Sequence, residues 1–142
     1  MTADIRHTQM VLSNYVEGMV NEYLPKDVTP IEGLIIGFLL RHPDMVVTAK
    51  EVMDSIHVGK ATVSKLLSSL EKKDYLSMES SSSDKRVKII LLTDKGLYVK
   101  DNISEAFKVI DKRVGEGFSE DEKKTLSSYL KRLRDNVTEF DK

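Results

Sequence analysis

The sequence contains no cysteine and no tryptophan, and it has three prolines among its 142 residues. The lack of cysteine excludes disulfide bonds, thiolate metal sites and thiol-based redox sensing. The longest apolar run, residues 34–40, is far shorter than the roughly 20 residues of a membrane-spanning helix. The first ten residues lack the basic-then-apolar pattern of a secretory signal, so we expect a cytoplasmic protein without a membrane partner.

The composition is that of an ordinary globular protein, with 40% hydrophobic and 32% charged residues, and the net charge is −1. The charge is unevenly distributed along the chain. Residues 60–88 hold seven basic and four acidic side chains, whereas residues 1–47 hold three basic and six acidic ones. Because the distribution of charge matters more than its sum, a nucleic-acid site is expected in the middle of the chain.

Three copies of the S/T-x-x-E capping box mark helix starts at Thr29, Thr48 and Ser119. In this motif the hydroxyl and the carboxylate satisfy free N–H groups of the first helical turn. Pro30 at a first helical position and Pro43 after a helix fit the same segmentation. With the apolar periodicity, these signals predict helices at residues 4–23, 30–41, 48–56, 60–73, 93–114 and 119–140.

The helix at 60–73 carries Val63, Leu66, Leu67 and Leu70 on one face, as expected for a helix that packs on a core. Only three residues, 57–59, join it to the preceding helix, which is typical of a helix-turn-helix. Its outer face is small, hydroxylated and basic, which suits entry into a DNA major groove. The candidate DNA-binding residues on this helix are Lys60, Ala61, Thr62, Ser64, Lys65 and Ser68.

Two short alternating segments, beginning at Leu76 and at Val87, flank a serine-rich loop and predict a β-hairpin. A hairpin directly after a recognition helix is a wing. Arg86 at its tip is suited to a DNA minor groove, and Asp84 is placed to hold the guanidinium in a bidentate pair. Lys85 and Lys88 are expected to contact phosphates.

Residues 48–96 resemble the winged helix-turn-helix of the MarR (multiple antibiotic resistance regulator) family. The resemblance is carried by TAKEVMDSIHVGKATVSKLLSSLEKKDYL and by SDKRVKIILLTDKG, with its D-x-R wing and the following L-T-x-x-G. It implies a mainly α fold with a small β-wing in a single domain over residues 1–142. The winged DNA-binding lobe would comprise residues 30–92, and the dimerisation helices residues 1–24 and 93–142.

The resemblance also implies a function. The chain would be a homodimeric transcriptional regulator, most often a repressor in this family, that binds pseudo-palindromic double-stranded DNA. Many members release DNA when a small-molecule effector binds between the dimer region and the DNA-binding lobe. No cofactor and no catalytic activity are implied. The effector itself is not indicated by the sequence.

Two positions depart from the family pattern. His57 stands where many members have glycine, so it is expected to adopt a positive φ, which histidine tolerates better than most residues. Gly59 stands at the N-cap of the recognition helix, where Ser or Asp is common, and provides a weaker cap. Neither departure conflicts with the assignment.

A dimer is also predicted from the apolar stripes of the long helices. One stripe contains Leu97, Ile103, Phe107, Ile110 and Val114, and the other contains Leu126, Tyr129, Leu130, Leu133, Val137 and Phe140. A small winged lobe offers too little surface to bury both stripes together with the N-terminal helix. The alternative is a monomeric helical core.

Other interpretations of these features stay open. The outer face of the 60–73 helix also fits a solvated surface, and the wing fits a loop with an incidental Asp–Arg pair. A winged helix can serve as a protein-interaction module that does not bind DNA. An enzyme is disfavoured because no nucleophile motif, phosphate loop or acid pair is present, and His7, His42 and His57 lack metal-ligand spacing.

Overall fold

A computed structural model describes residues 1–138 and contains six helices and two strands in that part of the chain. The helices are α1 (Thr2–Tyr23), α2 (Pro30–Arg41), α3 (Ala49–Ile56), α4 (Lys60–Lys72), α5 (Asp94–Val114) and α6 (Glu120–Thr138). The strands are β1 (Leu76–Ser80) and β2 (Lys88–Leu92). The predicted order of elements is confirmed, and so is the mainly α fold with a small β-wing.

The predicted capping boxes open α2, α3 and α6. At α2, the N–H of Glu32 donates to Thr29 Oγ1 at 3.3 Å, and the N–H of Thr29 donates to Glu32 Oε1 at 3.0 Å. At α6, Ser119 and Glu122 make the same reciprocal pair. At α3, the N–H of Thr48 donates to the Glu51 carboxylate at 2.8 Å. Local sequence therefore sets where these helices begin.

The two strands form an antiparallel hairpin in which Leu76 pairs with Leu92, Met78 with Ile90 and Ser80 with Lys88. Ile90 and Leu76 are buried, whereas Lys88 and Leu91 are exposed, so Ile90 is the residue of β2 that faces the core. Val47 forms an additional isolated bridge to Ile90, with the N–H of Ile90 donating to Val47 O at 2.8 Å. The loop before α3 is thereby joined to the hairpin.

The chain forms two compact units, Met1–Phe107 and the residues from Lys108 onward. The core of the first unit is built from buried side chains of α2, α3, α4, the hairpin and the first half of α5. The largest of these fully buried side chains include Tyr75, Ile35, Ile36, Leu70, Leu76, Val47, Val52, Val63 and Val99. Val63, Leu67 and Leu70 come from the predicted apolar stripe of α4, which is confirmed as a buried face.

In the single chain, the apolar residues of α6 remain largely exposed, and those of α1 are exposed in its first half and half-buried in its second. No residue of either helix within the described range is buried. The stripe of α5 is divided, because Ile110 is buried while Leu97, Phe107 and Val114 are exposed. The predicted stripe residue Phe140 lies outside the described residues.

A polar cluster inside the first unit joins the start of α2 to the end of α4. Its centre is Glu32, which is 1% exposed. Its carboxylate accepts hydrogen bonds from Lys73 Nζ at 2.9 and 3.1 Å and from Ser69 Oγ at 2.9 Å. Lys73 Nζ also donates to the carbonyl oxygen of Asp27 at 2.5 Å, and the buried Tyr75 hydroxyl donates to the Asp27 carboxylate. A buried charge of this kind is tolerated because its lone pairs are satisfied.

The pKa of Glu32 is set by opposing effects. Burial raises it, but the hydrogen bonds from Lys73, Thr29 and Ser69 outweigh burial and lower the pKa to about 2. Burial and the hydrogen bond to Asp27 raise the pKa of Tyr75, so its hydroxyl stays protonated and continues to donate. The cluster is therefore a charged, fully satisfied network at neutral pH.

The glycine of the L-T-x-x-G motif, Gly96, lies against the backbone of residue 75. A Cβ at this position would lie 2.1 Å from the carbonyl oxygen of Tyr75 and 2.9 Å from Leu92 Cδ2. The same carbonyl accepts from the N–H of Thr93 at 3.2 Å. The first turn of α5 therefore packs directly on the chain that links α4 to β1, and only glycine fits there.

We expect Gly96→Ala to lower the free energy of unfolding by about 1–3 kcal/mol, because the added methyl group must displace backbone. Urea unfolding followed by circular dichroism measures the change. Gly59→Ala is the control, since a Cβ at Gly59 meets no atom within 4 Å, and roughly 0.5 kcal/mol or less is expected there. Equal effects at the two positions would contradict the close approach.

We also expect a pH dependence that is specific to Glu32. Its pKa in the folded state is about 2, below the ordinary 4.5, so its contribution to stability is present above about pH 4.5 and is lost as pH falls through 2. From neutral pH to about pH 2, the wild-type protein should lose about 3 kcal/mol that Glu32→Gln does not lose. Urea unfolding at fixed protein concentration across this range tests it, and parallel pH curves for the two proteins would refute it.

Candidate nucleic-acid interface

The turn between α3 and α4 is built from His57, Val58 and Gly59. His57 has φ 55° and ψ 43°, the left-handed conformation, so the expectation of a positive φ is confirmed. Its N–H donates to Met53 O at 2.9 Å and ends α3. Gly59 then caps α4 without a side-chain hydrogen bond, as its lack of a side chain requires. This short turn sets the angle at which α4 leaves α3.

The outer face of α4 is exposed along its whole length. Every candidate residue that the sequence assigned to this helix is solvent-exposed: Lys60, Ala61, Thr62, Ser64, Lys65 and Ser68. The opposite face is the buried apolar stripe. The helix therefore presents hydroxyl groups, ammonium groups and one methyl group to the solvent, without a large apolar side chain that would obstruct close approach to base edges.

The wing closes through the backbone around Asp84. The N–H of Ser81 donates to Val87 O at 2.8 Å, and the N–H of Val87 donates to Asp84 O at 3.1 Å. Asp84 Oδ1 accepts from Arg86 Nε at 3.2 Å, and Asp84 Oδ2 accepts from Arg86 Nη2 at 3.3 Å. The bidentate Asp84–Arg86 pair predicted from the sequence is therefore present.

Arg86 remains almost fully accessible despite this pair. Its side chain is 91% exposed, and that of Asp84 is 39% exposed. The hydrogen bonds from the Arg86 side chain and backbone lower the pKa of Asp84, so the carboxylate stays charged. A pair at such exposure contributes little to stability. Its effect is on geometry: the pair directs the guanidinium at the tip of the wing, with Nη1 outside the pair.

A groove of about 470 Å³ lies between α4, the start of α3 and the wing. Its floor is apolar and contains Leu67, Met78 and Ile90. Five of the predicted DNA-binding residues line it: Lys60, Ser64, Ser68, Arg86 and Lys88. The recognition helix and the wing thus meet on one surface, which we call the helix–wing groove.

A second, more open depression of about 420 Å³ runs along α4. It is lined by Ser64, Lys65, Ser68, Ser69, Lys72 and Lys73. Hydroxyl and ammonium groups in this arrangement suit phosphate oxygens. The other predicted residues, Ala61, Thr62, Asp84 and Lys85, line neither depression, although Ala61, Thr62 and Lys85 are exposed on the same two elements.

The sequence reasoning missed the contribution of α3. Thr48, Ala49 and Lys50 line the helix–wing groove, and Lys50 is exposed. The signal was present, because a lysine in the first turn of a helix, where its charge opposes the helix dipole, needs another reason. Lys72, in the last turn of α4, lines the second depression and was not among the predicted residues.

Among the described residues, no group of three or more His, Asp or Glu side chains is arranged to hold a metal ion. His42 instead contacts the Phe38 carbonyl oxygen through Nδ1 at 2.9 Å. Within residues 1–138, no helix has the length and apolarity needed to cross a membrane.

Comparison with known families identifies the lobe. Residues 26–87 match the MarR family model. Over these residues, the chain is similar to the MarR family. The match contains α2, α3, α4, β1 and the loop of the wing through Val87. It therefore includes most of the residues that line the helix–wing groove, whereas Lys88 and Ile90 of β2 lie beyond it. No curated protein matches the chain at the sequence level.

Solved structures share the fold over nearly the whole chain. MepR, a transcription regulator of the Staphylococcus aureus multidrug efflux pump MepA, aligns with a TM-score of 0.76 and 20% identity over 96% of this chain and 98% of its own. A MepR mutant from S. aureus bound to an oligodeoxyribonucleotide aligns with a TM-score of 0.64 and 20% identity over 96% of each chain.

The heme sensor PefR from Streptococcus agalactiae, in complex with heme, aligns with a TM-score of 0.59 and 23% identity over 95% of this chain and 92% of its own. At such identities the likeness to these structures shows the fold alone. The fold is therefore that of transcription regulators in the MarR family.

We expect His57→Gly to stabilise the protein. A left-handed residue other than glycine costs roughly 1–2 kcal/mol, and the greater freedom of glycine in the unfolded chain offsets about 0.5–1 kcal/mol of the relief. The net gain in unfolding free energy should be about 0.5 kcal/mol. His57→Ala is the control and should give no gain, because alanine meets the same steric penalty. A gain from alanine equal to that from glycine would show that the backbone at residue 57 is not the cause.

Proposed function

We propose that this protein is a sequence-specific, double-stranded-DNA-binding transcriptional regulator that acts as a ligand-responsive repressor in the cytoplasm. The observation that carries the proposal is the helix–wing groove, because it joins the exposed face of α4 to an Arg86 held by Asp84. An incidental surface loop has no reason to fix an arginine beside a recognition helix.

In this proposal α4 enters the major groove. Lys60 and Lys65 suit guanine O6 and N7, the serines and Thr62 suit several bases, and Ala61 leaves room for a thymine methyl. Residues at the start of the helix are the ones closest to base edges in a helix-turn-helix. The exposure of all six side chains supports the assignment.

The wing in turn reaches the flanking minor groove. A narrow minor groove concentrates negative potential and attracts an inserted arginine. Arg86 satisfies the requirement with its exposed guanidinium, while Lys85 and Lys88 lie beside it and suit phosphate contacts. Lys50 adds a further cation on the α3 side of the helix–wing groove.

We propose a homodimer with residues 30–92 as the DNA-binding lobe and residues 1–24 and 93–142 as the dimerisation region. The exposed apolar side chains of α1 and α6 support it, since isolated helices do not keep such stripes in water without a partner. Two lobes related by a two-fold axis would bind half-sites about one helical turn (~34 Å) apart, in a pseudo-palindromic operator.

A small-molecule effector is the remaining part of the proposal. A depression of about 290 Å³ in the first unit is lined mainly by apolar side chains, among them Leu39, Met45, Ile90 and Leu97, with His42 and Lys100 at its edge. Its walls come from α2, β2 and α5, so an occupant would contact both the winged lobe and a proposed dimerisation helix. The heme sensor PefR shares the fold.

A protein-interaction module is the second candidate function, because Met45, Val46 and Leu91 leave apolar surface exposed on the lobe. Fluorescence anisotropy on DNA from upstream of the protein's own gene separates the two candidates. Unlabelled random duplex serves as competitor, at two salt concentrations. Tight, salt-steep binding that survives the competitor supports a regulator, because counterion release makes phosphate contacts salt-dependent. No binding at low salt would favour the protein-interaction module.

We expect Arg86→Ala to weaken operator binding by ~1–3 kcal/mol with little change in thermal stability, because the side chain is exposed and makes no core contact. Anisotropy titration and a thermal melt measure both quantities. Arg41→Ala removes the same charge from the end of α2, away from the helix–wing groove, and should leave affinity nearly unchanged. An Arg86→Ala protein with wild-type affinity would remove the wing from the interface.

A further inference from the structure

The buried face of α4 holds the helix on the lobe but does not by itself fix its rotation. Val63, Leu67 and Leu70 bury apolar surface, and such contacts are non-directional. Reading base edges demands more, because hydrogen bonds to bases need placement to within about 0.5 Å and 10–20°. Directional contacts must therefore supply the remaining constraint.

Glu32 supplies directional contacts to α4 from another element. Its Oε2 accepts from Ser69 Oγ at 2.9 Å and from Lys73 Nζ at 3.1 Å, and its Oε1 accepts from Lys73 Nζ at 2.9 Å. Oε1 also accepts from the N–H of Thr29. Ser69 of α4 and its C-cap residue Lys73 are thus tied to the first turn of α2 through one carboxylate.

A second set of contacts fastens the same end of α4. Lys73 Nζ donates to the carbonyl oxygen of Asp27, and the Tyr75 hydroxyl donates to the Asp27 side chain. Lys95 Nζ donates to the carbonyl oxygen of Lys73 at 2.7 Å. The end of α4 is therefore held from the α1–α2 loop, from α2 and from α5.

The outward residues of α4 are neighbours of the ones that Glu32 holds. Ser68 precedes Ser69, Lys72 precedes Lys73, and Ser64 lies one turn before Ser68 on the exposed face. Because a helix rotates as a unit, a rotation that breaks the Glu32 contacts turns Ser64 and Ser68 through the same angle. Their position in the helix–wing groove depends on where Ser69 and Lys73 are held.

We propose that Glu32 is a positioning residue for DNA recognition: through Ser69 and Lys73, it sets the rotation of α4 and thereby which side chains face the base edges. The inference rests on the proposed DNA-binding function. Glu32 touches no DNA and lies on the far side of α4 from the groove. Its effect is on discrimination between sequences, because misplaced side chains lose base contacts while the phosphate contacts of the basic residues persist.

A purely local role for Glu32 predicts a different result. Glu122 is the matched residue, since it occupies the same position of the α6 capping box and accepts from the N–H of Ser119 at 2.8 Å. Glutamine at either position can still cap through its amide oxygen. At residue 32, however, an amide nitrogen in place of Oε2 cannot accept from Ser69 or Lys73. Glu32→Gln therefore removes the charge and the contacts through Oε2, and keeps the cap and the contact of Lys73 with Oε1.

The test compares wild type, Glu32→Gln, Ser69→Ala and Glu122→Gln on two duplexes. One is the highest-affinity sequence that wild-type protein selects from a random pool, and the other is a random duplex of equal length. Affinities are measured by anisotropy over a salt series at a temperature where circular dichroism shows each variant fully folded. Ser69→Ala deletes one contact without changing charge, so it provides the measurement even if Glu32→Gln fails to fold.

Glu32→Gln should lower the ratio of specific to random affinity by about tenfold, with Ser69→Ala lowering it less and Glu122→Gln leaving it unchanged. On random duplex, the dependence of affinity on salt concentration should be the same for these three variants as for wild type. Lys72→Gln provides the contrast. It should weaken binding to both duplexes by the same factor and reduce the slope of log affinity against log salt concentration by about 1.

Three results would overturn the inference. An unchanged ratio in Glu32→Gln, with specific binding by wild type, removes the positioning role and leaves the proposed function intact. An equal loss of affinity for both duplexes would show that Glu32 has a structural role only. A wild-type protein that binds no duplex in a salt-dependent way overturns the proposed function, and this inference with it.

Discussion

Glu32 carries a carboxylate inside the first compact unit, and the arrangement of the winged lobe follows from the need to satisfy that charge. An isolated buried carboxylate would cost several kcal/mol, so its partners cannot drift away independently. Satisfying it brings Thr29 of the α2 cap, Ser69 and Lys73 of α4 to one point. These polar contacts and the apolar core together join α2 to the end of α4.

The buried carboxylate of Glu32 also divides the lysines in and next to α4 into two groups. Lys73 is neutralised by Glu32 and lies half-buried, whereas Lys60, Lys65 and Lys72 carry no such partner in the cluster and remain exposed. A chain with a net charge of −1 can therefore present a basic surface locally. The positive potential that a phosphate backbone meets depends on which cations are free, and not on the total charge.

Features determined by local sequence were predictable. The described helices begin and end within two residues of their predicted positions, because capping boxes and apolar periodicity depend on neighbouring residues. The predicted end of α6, at residue 140, lies outside the described residues. The Asp84–Arg86 pair was predictable for the same reason. The Glu32–Lys73 contact joins residues 41 apart, so no local pattern indicates it. In β2 the run Ile89–Leu92 is apolar at every position, so alternation could not select Ile90 as the inward residue.

The bidentate pair between Asp84 and Arg86 affects the entropy of the proposed DNA binding. A free arginine side chain carries about 2 kcal/mol of rotamer entropy, most of which is lost when it enters a confined site. At the wing tip, Nε and Nη2 are paired with Asp84 in the free chain, so part of that freedom is already restricted. In the proposed complex, the guanidinium would therefore have less rotamer entropy left to lose on entering the minor groove.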